Sequence, residues 1–177
     1  MTVDPTDRWR GASDLIEVLD VRPAGECRFE GTARADPRRP VVEGSQILAQ
    51  AIVAAGRHTS GRRPVSAQMI FARPADANSS LVFDFEELSA GKTFTALTVL
   101  ASQGDRRCAA GTLLMDVTAP DLIRHEGEPP DVPGPDDSEP YDMGLQGREV
   151  KVVGGAYTDD PDAPVGPPVL DAWVRFE

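Results

Sequence analysis

Residues Val41 to His58, V-V-E-G-S-Q-I-L-A-Q-A-I-V-A-A-G-R-H, constrain the fold more than any other stretch of this chain. Ile47, Leu48, Ala51, Ile52 and Ala55 fall at helical spacing. Ser45 is the expected N-cap, because its hydroxyl can accept from a free backbone N–H of the first turn. The opposite side is not a solvated face: Ala49, Val53, Ala54 and Gly56 occupy it, and Gln46 and Gln50 are the only polar side chains between the cap and Arg57. A helix that is apolar almost all round must be buried on most of its circumference. It is either an ordinary core helix or one wrapped by a single curved sheet, and the choice depends on whether strands surround it.

The flanking sequence supplies those strands. Ala12–Asp20 predicts a short amphipathic helix through Leu15, Ile16 and Leu19, and Pro23-Ala-Gly25 predicts a turn. Glu26–Arg34 alternates Cys27 and Phe29 with Arg28 and Glu30, which is strand patterning. Ala35–Pro40 is a loop into the apolar helix, and Gly56–Pro64 ends that helix in a basic, flexible segment. Strand-like runs follow at Val65–Ala72, Leu81–Leu88, Thr93–Ser102 and Cys108–Val117, with Arg73-Pro74, Ser89–Lys92 and Gln103–Arg106 between them. Short connections between strands of this length predict an antiparallel meander. One sheet curled around a central helix buries both apolar surfaces with this order of elements, so the expected class is α+β.

The net charge of −11 is uneven: residues 121–177 hold 14 Asp or Glu against 4 Lys or Arg, leaving only −1 for the first 120 residues. A near-neutral domain is therefore followed by an acidic extension, a balance that argues against nucleic-acid binding. Cys27 and Cys108 make no disulfide framework and, with His58 and His125 as the only histidines, no metal-spaced cluster. The N-terminus lacks the apolar run of a signal peptide, and no stretch approaches the roughly 20 apolar residues of a bilayer span, so a cytoplasmic protein with no membrane partner is expected. Glu126–Pro140 has the Pro-rich, acidic composition of a linker. Gly147–Tyr157 and Val169–Glu177 read as two more strands, the second with Trp173, Val174 and Phe176 as large apolar groups. That last strand either joins the first domain's sheet or opens a second domain, and the apolar ending favours the second reading. It also predicts an unpaired apolar edge, and hence a chain that is not a monomer.

On these residues the sequence resembles the acyl-CoA thioesterase II family, in which two hotdog repeats are joined in one chain. The matching elements are G-S-Q-I-L-A-Q-A (Gly44–Ala51), F-A-R-P-A-D (Phe71–Asp76), and the run from Gly91-Lys-Thr-Phe94 through Gln103-Gly104. The resemblance implies a hotdog fold, an antiparallel sheet wrapped around a long central helix. It implies a first repeat over residues 1–120, a linker over 121–140, and the opening strands of a second, incomplete repeat over 141–177. Its expected activity is hydrolysis of acyl-CoA to free fatty acid and CoA, with no cofactor and no metal. Its expected partners are the acyl-CoA substrate and a second hotdog repeat or partner chain. There are departures. The family usually has Gly-Gly-Gln where Gly44-Ser45-Gln46 stand, and often has histidine where Val65 and Gln68 stand. The Asp, Thr and Gln that activate water in the family belong to the second repeat, so the catalytic residues are expected beyond Glu177 and the chain alone is expected to be inactive.

The start of the apolar helix is the candidate for polarising a thioester carbonyl: free N–H groups around Gly44, Ser45 and Gln46, aided by the helix dipole, could receive an oxyanion. The alternative is that Ser45 simply caps its own turn. Glu43, just before the helix, is read as a solvated carboxylate favoured by the dipole rather than a general base. Gln50 and Gln68 are acceptable for a thioester pocket, but the role expected of each over that one is a satisfied interior amide. Arg57, Arg62 and Arg63 could attract the phosphates of coenzyme A or form a plain basic loop. Arg73 is read as holding the end of its strand. No Ser-His-Asp arrangement is present, and the two histidines fall in loop-like segments. A non-catalytic hotdog module that binds an acyl chain or serves as an assembly subunit remains the rival. A hydratase or dehydratase would need an Asp/His pair near the helix, and none is found.

Overall fold

Strand residues point alternately to the two faces of a sheet, and the sequence alternation becomes burial here. A computed structural model describes residues 11–35, 40–120, 125–141, 148–155 and 160–176. The described elements are α1 (Ala12–Leu19), β1 (Arg22–Gly25), β2 (Arg28–Gly31), α2 (Gly44–His58), β3 (Arg63–Phe71), β4 (Leu81–Ala90), β5 (Phe94–Gln103), β6 (Arg106–Asp116), β7 (Arg148–Gly155) and β8 (Leu170–Phe176). Along β5, Thr95, Leu97, Val99, Ala101 and Gln103 are buried and the residues between them are half-buried. Its neighbour β4 buries Leu81, Phe83 and Phe85 and leaves Glu86 in water.

The chain divides into two compact units, Leu15–Asp121 and Met1–Asp14 with Leu122–Glu177. In the first, six strands make one antiparallel sheet in the order β1-β2-β4-β5-β6-β3. Helix α2 touches β3, β4, β5 and β6, and no residue from Gln46 to Gly56 is exposed. The helix is therefore enclosed, as its apolar circumference requires. Ala51, Ala54 and Ala55 are each fully buried. Their small side chains let the sheet close on the helix, and a Leu at residue 51 would overpack this contact at a cost of about 1–3 kcal/mol. Around it Leu81, Phe83, Leu97 and Met115 are fully buried, each stabilising by roughly 1.5–3 kcal/mol relative to exposure. Phe85 meets the edge of the Phe29 ring at 6.0 Å and is stacked by His58 at 5.9 Å.

Several local expectations are corrected. Pro23-Ala-Gly25 is strand, not turn, because β1 is an outer strand and an outer strand tolerates proline's missing N–H. The reversal falls instead at Glu26-Cys27, where Cys27 takes a left-handed φ of 54°. Helix α2 does not stop near Gly56 but runs to His58, so this histidine is helical; its Nε2 lies 3.1 Å from Glu87 Oε1. The helix cap position is Glu43, and Ser45 lies one residue inside the first turn. Strand β4 continues to Ala90 across a bulge between Glu87 and Ser89. Gln68 is not an interior amide: β3 is the other outer strand, paired among the described residues only with β6, and Gln68 is exposed on it. Exposed there too are Val65, Ile70 and Phe71.

In the second unit β7 and β8 form a two-stranded antiparallel sheet. The Pro-rich stretch is tied to it: Trp173 Nε1 donates to Pro133 O at 2.9 Å, Lys151 Nζ to Pro135 O at 2.7 Å, and Tyr141 N to Val150 O at 2.8 Å. Val150 is buried, whereas Leu170, Trp173, Val174 and Phe176 stay exposed.

Candidate functional site

Helix α2 begins at the mouth of a cavity of about 510 Å³. Val41, Val42, Ile47, Phe71, Pro74 and Ala75 give it apolar walls; Glu43, Gly44, Ser45 and Arg73 supply its polar groups. Two segments far apart in sequence meet here, the entry to α2 and the loop after β3. They are joined by a backbone bond from Val42 N to Ala75 O at 3.0 Å.

The first turn of α2 leaves donors available. Gln46 N and Ile47 N both donate to Glu43 O, at 3.0 and 3.3 Å. The N–H groups of Gly44 and Ser45 are among those that a helix start leaves without an intrahelical acceptor. Both residues line the cavity, where the helix dipole favours negative charge. Ser45 Oγ does not cap the helix; it donates to Glu43 Oε2 at 3.3 Å. Gly44 is matched to Phe71, since a Cβ on residue 44 would lie 2.9 Å from Phe71 Cζ.

The other candidates scatter. Gln46 is buried and donates to Thr32 O at 3.1 Å, away from the cavity lining. Gln50 is fully buried, with Nε2 donating to Val18 O at 2.5 Å and Thr32 O at 2.8 Å. Arg57, Arg62 and Arg63 lie at or beyond the far end of a 15-residue helix, about 20 Å along its axis from Gly44. Arg57 donates to Val21 O and pairs with Asp20 at 2.5 Å. Arg62 clamps Thr93 O and Gly91 O at 2.7 and 2.9 Å, and Arg63 lies 3.6 Å from Asp116. Arg73 holds its strand end as expected: its backbone N donates to Cys108 O at 3.0 Å and its guanidinium to Arg107 O at 3.3 Å.

Two residues entered the sequence reading only as members of matching runs, with no site role. Gln103, taken as part of a turn, is nine-tenths buried and holds the loop that forms one cavity wall. Its Nε2 donates to Asp76 O at 2.7 Å and Ser79 O at 2.6 Å, while its Oε1 accepts from Asp76 N at 2.8 Å. The signal was present: residue 103 continues the inward register of Thr95, Leu97, Val99 and Ala101, where a polar side chain needs partners. Phe71 was the second, an apolar strand residue whose position over Gly44 no local pattern encodes.

A family model described as the acyl-CoA thioesterase N-terminal domain matches residues 33–115, which contain the whole of α2 and all of the cavity lining. Over this stretch the chain is similar to acyl-CoA thioesterase N-terminal domains. The chain is similar to mouse acyl-coenzyme A thioesterase 8, with 27% identity over 124 residues covering 70% of this chain and 39% of the relative. It is similar also to acyl-CoA thioesterase 2 of Haemophilus influenzae, with 28% identity over 135 residues covering 76% of this chain and 46% of the relative. The chain thus spans less than half the length of these curated relatives. A hot dog fold protein from Alicyclobacillus acidocaldarius superposes with a TM-score of 0.75 at 19% identity, over 93% of this chain and 62% of that one. The fold of the first unit is accordingly the hotdog, α+β, with the sheet around α2. Among the described residues, no helix is long and apolar enough to cross a membrane.

Proposed function

We propose that the protein acts in the hydrolysis of acyl-CoA thioesters to free fatty acid and CoA, with the thioester bound in the cavity at the start of α2. The observation that carries this reading is that Gly44 and Ser45, first-turn residues whose N–H groups have no intrahelical acceptor, line an apolar-walled cavity within the stretch matched by the thioesterase family model. There the carbonyl oxygen accepts from these N–H groups, which meet the negative charge that develops on it as water adds to the carbonyl carbon. The C–S bond then breaks; the sulfur leaves as the thiol of CoA, taking up the proton that water gives up, and the acyl group leaves as the acid. No acyl-enzyme forms. The acyl chain lies against Val42, Ile47, Phe71 and Ala75.

The groups that activate water are supplied by a second hotdog unit, in the same polypeptide or on a partner chain. Glu43 is the one carboxylate in the described lining, which holds no histidine or cysteine. We read β7 and β8, within residues 141–177, as the opening strands of that second repeat, and 121–140 as the connection to it. The same shortage of acid–base groups favours the alternative, a non-catalytic module that binds an acyl chain.

Release of free thiol from medium- and long-chain acyl-CoA separates the two. The reading expects turnover when residues 1–177 are joined to a complete second repeat and none from residues 1–177 alone. Absence of turnover in the joined protein, with acyl-CoA still bound, supports the non-catalytic module; rapid turnover by residues 1–177 alone contradicts the shared site.

A further inference from the structure

The cations at the cavity are not those at the far end of the helix. Arg73 lines the cavity, and Arg106 reaches the same loop, its guanidinium donating to Pro74 O at 2.7 Å. The two are held in place by a common framework. Gln103 lies 3.4 Å from the Arg106 guanidinium through Oε1 and anchors the loop at Asp76 and Ser79, while Arg73 is fixed to Arg107 O. Both arginines are exposed, and among the described residues neither is ion-paired to a carboxylate. The acidic groups nearby are otherwise placed: Asp76 Oδ1 accepts from Asn78 N and Nδ2, both at 2.9 Å, Ser45 donates to Glu43, and Asp105 lies in the exposed turn before β6. By contrast Arg57 and Arg63 already face Asp20 and Asp116.

We propose that Arg73 and Arg106 form the phosphate-binding site for the nucleotide end of a coenzyme A thioester; this rests on the thioester reading of the cavity. Guanidinium forks suit phosphate oxygens, and each arginine spends only part of its donor set on a backbone carbonyl. The pantetheine arm separates the sulfur from the phosphates, so the phosphates bind apart from the thioester, on the loop after β3 rather than beside Gly44. Exposure suits this role, since the nucleotide remains partly in water and the contact selects the CoA carrier rather than the acyl group.

The test is calorimetric titration of the 177-residue chain with CoA, with pantetheine and with inorganic phosphate. The double variant Arg73→Gln, Arg106→Gln should bind CoA more weakly by roughly fivefold per arginine, with pantetheine unchanged. The corresponding double Lys variant should recover most of the loss, and Arg63→Gln should bind CoA like the wild type. Unaltered CoA affinity in the Gln variant, or a loss confined to Arg63→Gln, overturns the assignment and leaves the thioester reading standing. Inorganic phosphate binding as tightly as CoA overturns it as well, since the site is then a simple anion site. A wild-type chain that binds neither CoA nor acyl-CoA overturns both. If the Gln pair melts early, the Lys pair and Arg106→Gln alone decide by the same comparison.

Discussion

The ring of Phe71 lies against Gly44, so close that a Cβ on residue 44 would meet Cζ at 2.9 Å and a second ring carbon at 3.0 Å. This contact joins the last residue of β3 to the first of α2 at the mouth of the cavity. Replacing Gly44 with Ala must move Phe71, and a half-exposed ring has water to move into. The helix itself gains about 0.5–1 kcal/mol from the exchange. Gly44→Ala should therefore melt within about 1 kcal/mol of the wild type, while acyl-CoA binding falls; thermal denaturation and calorimetry on one sample check both.

Gly111 is a harder case. A Cβ there would stand 2.3 Å from the backbone O of Gln68, and backbone cannot swing aside. Gly111→Ala should push β3 off β6 and cost about 1–3 kcal/mol. For a domain near 100 residues that is a fall in Tm of roughly 4–8 °C per kcal/mol. Amide exchange should rise along β3 first.

Gln103→Leu removes every bond that holds Asp76 and Ser79 to the sheet. Asp76 and Ser79 are exposed, so water replaces part of what is lost and the cost per bond should stay near the roughly 0.5–1.5 kcal/mol of a net hydrogen bond. The variant should lose stability and also order in residues 72–80, read as faster exchange at Ala75 and Asp76, with the β4–β5 pairing still protected.

Much of this was legible in the chain. The enclosed helix followed from Ile47, Ala51 and Ala55 with no polar face opposite, and β4 and β5 followed as strand-like runs bounded by turn signals. Outer strands were not legible in the same way. Val65, Ile70 and Phe71 carry the apolar pattern of a buried strand, yet they are exposed because nothing pairs with the outer side of β3 among the described residues. Pro23 read as a turn because proline cannot join a strand that is paired on both sides, and only the sheet order reveals that β1 is paired on one. The candidate site divided similarly. Gly44 and Ser45 were found from the helix start, but Phe71, Gln103 and Arg106 come within reach only through strand pairing across tens of residues.

The open side of β3 also predicts association. A strand that among the described residues is paired on one side only, with Val65, Ile70 and Phe71 exposed on it, invites another strand. Sedimentation at high concentration should show a species heavier than the 19.0 kDa chain. Ile70→Lys should shift it toward monomer without unfolding, since Ile70 is 76% exposed. A single monomeric species for the wild type would contradict this.

The most direct measurement is an NMR titration of the chain with a non-hydrolysable acyl-CoA thioether. The amides of Gly44 and Ser45 should shift most, with Ile47, Phe71 and Ala75 following as the cavity fills. Shifts confined to Arg57, Arg62 and Arg63, with Gly44 and Ser45 unmoved at saturation, would place the ligand at the wrong end of the helix and contradict the account.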